Sequence, residues 1–240
     1  MAAAIILRIK LLFKLMSNSS CGIIFDLDGT LLDTIEDIAR SLNSVLAAFG
    51  FPGHSLQTYK SFVGEGFELL VKRVLPVDFN NPALYDLILH QALASYEEEA
   101  IVKTKPYPGI AELLTELTLQ KIPLAILSNK PHSLTQKSVA LLLSRFPFRV
   151  VWGARPPLPN KPHPFQALKI AELFKLRAER IFLVGDSEID IQTAHNAGFK
   201  SVAVSWGFRP TQKLAAFRPD WLIHEPAALL EIIKQMIKTD

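Results

Sequence analysis

Five short apolar runs limit what this chain can fold into: GIIFDL (22–27), IPLAILS (122–128), FRVVW (148–152), RIFLVG (180–185) and SVAVSW (201–206). Each is continuous rather than alternating and rich in β-branched or aromatic residues, as a strand covered on both faces must be. DWLI (220–223) reads as a sixth. Apolar residues at helical spacing fill the intervals 109–120, 131–144, 164–175, 188–197 and 225–237. Strand and helix in alternation imply parallel strands joined by crossover helices. The expected fold class is therefore α/β, a doubly wound, Rossmann-like parallel sheet.

One interval breaks the alternation. From Thr34 to about Lys105 no run reads as a strand. Ile35, Ile38, Leu42, Val45, Leu46 and Phe49 recur at helical spacing and Gly50 ends that helix. Further helical stretches follow at about 65–75 and 82–99 before KTKPYPG (103–109), a linker composition, returns the chain to the alternating pattern. The expectation is a helical cap, residues 35–105, inserted into a core made of 21–34 and 106–240. A chain of 240 residues, 49% of them hydrophobic, has enough apolar surface for both.

Residues 1–20, MAAAIILRIKLLFKLMSNSS, stand apart as an N-terminal extension. Arg8, Lys10 and Lys14 break its apolar run short of a membrane span of about 20 residues. A signal peptide would place its cations first, whereas Ala2–Ala4 precede them here. The segment reads as dispensable, with Met16 as another possible start; a surface-associating helix or a targeting segment are the alternatives. The same three cations equal the whole net charge of +3, so no basic face for nucleic acid is expected. Cys21 has no second cysteine to pair with, which fits a reducing, cytoplasmic setting. The six histidines do not cluster at metal-ligand spacing.

In open α/β sheets ligands bind beyond the carboxyl ends of the strands. There the first run stops at Asp26 and Asp28, followed by Gly29 and Thr30. Two carboxylates on one side of a strand end repel unless a cation lies beside them. Hard carboxylate oxygens with partial protein ligation suit Mg²⁺. GDSEID (185–190) brings a second acidic pair, Asp186 and Asp190, to another strand end. Those two acids either complete a metal site or simply cap the helix that Ser187 opens. Between the pairs, Ser128, Asn129 and Lys130 end a strand just before a helix, a place for an anion. Lys161 stands before another helix, as a phosphate ligand or a solvated surface residue.

The order DxDGT, S-N, K-P, GDSxxD, with three of the four pieces following a strand, resembles the haloacid dehalogenase superfamily of phosphohydrolases over about residues 21–237. The helical insert after the first motif is similar to that family's C1-type cap. The resemblance implies that Asp26 is the nucleophile, forming an aspartyl-phosphate, and that Asp28 is the general acid and then the base. It implies that Thr30 helps to hold Asp28. Ser128, Asn129 and Lys161 would bind the phosphoryl group. Mg²⁺ would be held by Asp26, by Asp28 through its main-chain carbonyl, and by Asp186, with Asp190 in support. Asp28 speaks against a dehalogenase, whose branch lacks the equivalent acid.

Within the superfamily, residues 105–131, 184–198 and 205–233 are similar to phosphoglycolate phosphatases, which implies a small phosphorylated substrate for a monomer or homodimer. WGARPPLPN (152–160) departs from them, being basic and proline-rich where an acidic, glycine-containing turn is usual. A β-phosphoglucomutase-like isomerase would share all four motifs. A phosphonatase would need a cap lysine, for which Lys60 and Lys72 are available. A non-catalytic binding protein on the same scaffold would be expected to have lost some of these residues, and none is missing. In the cap, the helix starting near Gly66 with Lys72 and Arg73 is the expected reader of a substrate carboxylate.

Overall fold

The computed structural model describes residues 21–99 and 101–238; the extension 1–20 lies outside the described residues. Along the chain, β1 (Gly22–Phe25) leads through β2 (Leu32–Asp33) into α1 (Ile35–Ala48), α2 (Leu56–Phe62), α3 (Phe67–Val74) and α4 (Pro82–Glu99). It returns by β3 (Lys105–Pro106) and then alternates as α5 (Ile110–Leu119), β4 (Leu124–Pro131), α6 (His132–Leu142), β5 (Phe148–Ala154) and α7 (Phe165–Phe174). A 3-10 turn (Ala178–Arg180) precedes β6 (Ile181–Gly185), α8 (Glu188–Ala197), β7 (Lys200–Val204), α9 (Thr211–Ala216), β8 (Trp221–Ile223) and α10 (Ala228–Lys238).

The six apolar runs form one parallel sheet in the order β5-β4-β1-β6-β7-β8. β1 is central because every residue of it is buried and can tolerate cover on both faces. Ile23 and Phe25 pack with Leu114 and Ile233 on one face, while Ile24 packs with Ile170 and Leu183 on the other. That is the alternation a strand imposes. Burying each such side chain contributes about 1.5–3 kcal/mol. Phe25 lies opposite both Ile126 and Val184, so the ends of β1, β4 and β6 meet at one edge. The strand order reverses there, and a crevice forms where the connections diverge. β4 runs past its expected end at Ser128 as far as Pro131, with an irregular register after Leu127.

The four helices α1–α4 share a second apolar cluster that includes Ile38, Leu42, Tyr59, Leu70, Val71 and Ile88. α2 has no counterpart in the sequence reading; it is too short to show a period, and Ser55 starts it by accepting the Thr58 N–H. Where the helices leave and rejoin the sheet, β2 and β3 pair antiparallel, Asp33 opposite Lys105. Asp37 of α1 ties the same neck. Its fully buried carboxylate accepts the N–H groups of Val102 (3.0 Å), Lys103 (2.9 Å) and Thr104 (2.8 Å) and the Thr104 hydroxyl (2.7 Å). Among the described residues no helix is long and apolar enough to cross a membrane.

Candidate active site

The crevice is built from a loop that stops the central strand abruptly. The Asp26 N–H donates to Val184 O at 2.9 Å, the last ladder bond of β1. Leu27 O then accepts from the N–H groups of Thr30, Leu31 and Leu32, which coils residues 27–32 into a tight loop. Gly29 sits at φ +85°, and a Cβ there would lie 2.3 Å from Asp186 Oδ2. Only glycine lets the loop adopt that conformation and close on Asp186. Gly207, beyond β7, makes the same approach from the other side, where a Cβ would come within 2.2 Å of Asp186 Cβ. The signal for Gly207 in the sequence is a glycine between two aromatics just past a strand end.

Asp26, Asp186 and Asp190 converge, each buried and offering one carboxylate oxygen within 4.8 Å of the others. Asp186 accepts the Phe208 N–H at 2.7 Å and the Thr30 hydroxyl at 3.3 Å. Thr30 thus supports Asp186, not Asp28 as expected, because the tight loop turns its hydroxyl across the cleft floor. Asp190 serves two partners at once. One oxygen accepts the Ser187 N–H and hydroxyl at the start of α8; the other accepts Lys161 Nζ at 2.6 Å. Lys161 Nζ also lies 3.0 Å from Asp26 Oδ1, yet that oxygen has no aligned hydrogen-bond partner although it is buried.

Three buried carboxylates face one ammonium. Burial, reinforced by the neighbouring Asp190 and Asp28 charges and opposed by Lys161, pushes the Asp26 carboxyl up to about 7. Burial and the charges of Asp26 and Asp190 push Asp186 up to about 8. Burial alone would pull Lys161 down, but Asp190 and Asp26 more than offset it and hold the ammonium above its ordinary range. An orphan buried oxygen and an excess of negative charge fit a hard divalent cation held by Asp26, Asp186 and Asp190.

The Asp28 carboxylate is absent from this cluster. It points along the cleft to Lys130, whose Nζ donates to Oδ1 at 3.0 Å and to Oδ2 at 3.3 Å. Lys130 also donates to the Tyr96 hydroxyl of α4 and sits 4.5 Å from that ring's centroid. Neither role shows in the sequence, where Lys130 only ends a strand and Tyr96 lies in a helix far from every motif; both are buried. Ser128 lines the cleft beside them, its hydroxyl accepting the Lys130 N–H at 3.3 Å. Asn129 is a bracket. Its Oδ1 accepts the Lys161 N–H, and its Nδ2 donates to Lys161 O and to Gly64 O, each at 2.9 Å. Lys161 and Asp190 pack against Asp26 and do not line the cleft.

Above this floor, Val63, Gly64, Gly66, Phe67, Leu70 and Tyr96 roof a cleft with an empty volume of about 550 Å³, part of it open to solvent. Arg209 joins roof to floor. It pairs with Glu188 at 3.1 Å and donates to the carbonyls of Lys60 and Val63. Arg73, the expected carboxylate reader, is not on the wall; it pairs with Glu65 and donates to Phe62 O at 2.8 Å, both within its own helical layer. Lys60 and Lys72 are also absent from the wall. The departing segment 152–160 folds on itself, with the Arg155 guanidinium 4.2 Å from the Trp152 ring and donating to Gln166 Oε1 at 3.0 Å.

Comparison with known proteins agrees with this geometry. Residues 23–204 match the model of the haloacid dehalogenase-like hydrolases. The phosphoglycolate phosphatase of Aquifex aeolicus (strain VF5) is 31% identical over 215 residues, 90% of this chain and 97% of that protein. The phosphoglycolate phosphatase of Vibrio vulnificus (strain CMCP6) is 32% identical over 221 residues, 88% of this chain and 95% of that protein. The crystal structure of a predicted phosphoglycolate phosphatase from Haemophilus somnus 129PT superposes with a TM-score of 0.82 at 30% identity, covering 88% of this chain and 96% of that one. The chain belongs to the haloacid dehalogenase-like hydrolase family and is a phosphatase similar to phosphoglycolate phosphatases.

Proposed function

We propose that this phosphatase hydrolyses a small phosphate monoester bearing a carboxylate, 2-phosphoglycolate best of all, with Mg²⁺ as its metal. The observation that carries the reading is the Asp26 carboxylate, whose buried Oδ1 has no aligned hydrogen bond and pairs with Lys161 at 3.0 Å at the strand end, with Asp28 two residues on and held by a different cation. Mg²⁺ bound by Asp26, Asp186 and Asp190, with the Asp28 main-chain carbonyl, would neutralise charge as one anion attacks another.

The chain's own groups perform the rest. Ser128 binds a phosphoryl oxygen from the cleft wall, and Lys161, paired with Asp26 and Asp190 beside the cleft, turns its ammonium to the phosphoryl group as Asp26 forms its bond. An Asp26 oxygen attacks phosphorus, the phosphorus–oxygen ester bond breaks, and the leaving alkoxide takes the proton of Asp28. Asp28, now ionised, removes a proton from water, and the hydroxide releases phosphate and restores Asp26. Helices 35–105 act as a cap that excludes water until the ester is seated. Cys21, buried and the chain's single cysteine, is compatible with work in the cytoplasm.

The test is phosphate release from a panel of small esters, with and without chelator. Release that is strongest for 2-phosphoglycolate and lost in excess chelator is the expected result. Isomerised ester with no free phosphate, or full activity in chelator, would overturn the proposal.

A further inference from the structure

The cleft wall carries two buried cations, Lys130 and Arg209, among the described residues. Arg209 spends three of its five N–H donors on Glu188 and on the carbonyls of Lys60 and Val63. Lys130 directs its three protons to two groups only, both oxygens of the Asp28 carboxylate and the Tyr96 hydroxyl. Tyr96 receives a hydrogen bond from Lys130, and its own O–H has no acceptor among the described residues. The ring is fixed by stacking on Phe67, 5.9 Å between centroids and 7° between planes, and both rings line the cleft. A cation and a free donor therefore stand together next to the acid of the reaction, under an otherwise apolar roof.

We propose that Lys130 and Tyr96 form the subsite for the substrate's carboxylate, which makes Lys130 the residue that determines specificity. The inference rests on the functional reading above and names the groups that reading leaves open. Its basis is distance. Asp28 must stand within hydrogen-bond reach of the ester oxygen it protonates. Lys130 Nζ is 3.0 Å from Asp28. A group one carbon beyond that ester oxygen is thus delivered to Lys130. A carboxylate on the carbon that bears the phosphate lies within that reach. The ligand class is the 2-phosphoryloxy carboxylates.

The experiment compares kcat/KM for 2-phosphoglycolate with that for its isosteric amide, glycolamide phosphate, and with that for an uncharged aryl phosphate. Wild type, Lys130→Met and Tyr96→Phe are measured, each with a melting curve. Wild type is expected to prefer the acid. Lys130→Met should shrink the acid-to-amide ratio about ten- to hundredfold, as loss of a charge-assisted contact does, and mainly through KM. Tyr96→Phe, which removes one hydroxyl and nothing else, should shrink it about three- to tenfold. If Lys130→Met proves unfolded, Tyr96→Phe decides. An unchanged ratio in a folded variant overturns the subsite, as does a wild type that takes the amide equally well. An equal fall for acid, amide and aryl phosphate would show that Lys130 serves Asp28 alone, and the phosphatase reading would stand without the subsite. Release from none of the three esters by wild type would sink the functional reading itself, and the subsite with it.

Discussion

Replacing Asp37 by alanine removes the acceptor for four donors at the neck between sheet and helices: the N–H groups of Val102, Lys103 and Thr104 and the Thr104 hydroxyl. Arg40, a fifth donor, is half in solvent and keeps water as a partner. The hydroxyl can rotate toward another acceptor, but the N–H groups cannot. The buried Thr104 N–H left unsatisfied costs about 1–3 kcal/mol, and the exposed Val102 and Lys103, which water can reach, lose about 0.5–1.5 kcal/mol per bond, so Asp37→Ala should cost about 2–6 kcal/mol. Asp37→Asn is milder. One oxygen can still meet the three N–H groups, but without charge the bonds are roughly half as strong, and about 1.5–3 kcal/mol is expected to be lost. At roughly 2–4 °C per kcal/mol for a chain of this size, both changes are measurable by thermal or urea unfolding.

The pH dependence checks the cause. Burial alone would raise the Asp37 carboxyl, but the Thr104 hydroxyl and the three N–H groups more than offset it and hold it below the ordinary carboxylate range. A depressed folded value means stability that is fully present above the unfolded value of about 3.9 and is lost as pH falls through the folded value. The gap between wild type and variant should therefore be flat above about pH 5 and narrow below about pH 4. A gap under about 0.5 kcal/mol at neutral pH, or one that widens on acidification, would refute the reasoning.

Two further outcomes follow from the carboxylate cluster. Asp26→Asn should lower turnover at least about 10³-fold. It should also melt higher than metal-free wild type above neutral pH, because a carboxyl raised to about 7 when folded weakens the fold as pH climbs from its unfolded value of about 3.9 through 7. Saturating Mg²⁺, about a hundredfold above its Kd, should stabilise wild type by about 2.7 kcal/mol, read as a rise in melting temperature. The rise should be absent from Asp186→Asn; its survival there would remove Asp186 from the metal site.

How much of this was legible depends on whether a residue's partners are near it in sequence. The strands were, because continuous apolar runs report their own burial, and helices α1 and α3 were, because their apolar stripe repeats locally; α4 has no such stripe and shows as a long run without Gly or an interior Pro. Thr30, Lys130 and Asp37 were misread or passed over for the opposite reason. Lys130 precedes a helix beside Ser128 and Asn129 and carries no role of its own there; only Asp28, 102 positions away, and Tyr96, 34 positions away, make it a buried ion-pair partner. Asp37 looks like an ordinary acid in a first helical turn until the segment 65 or more positions on folds against it. Arg73 shows the converse error. Its place on a helix above the cleft suggested a substrate, yet Glu65, only eight positions before it, takes the guanidinium first.

Asp190 shows why such choices resist a reading by pattern. Capping the helix and joining the acidic cluster stand as alternatives in the sequence, since a residue four beyond a strand-end acid satisfies either. A carboxylate, however, has two oxygens. One turns back to Ser187 and meets the local need of α8, and the other turns out to Lys161, 29 positions away. Gly185 permits both, since a Cβ there would lie 2.1 Å from Asp190 Cγ and push the carboxylate off the strand end. The local role orients the side chain, and the orientation supplies the distant one: by fixing one oxygen on the helix start, the cap aims the other at the lysine that faces Asp26.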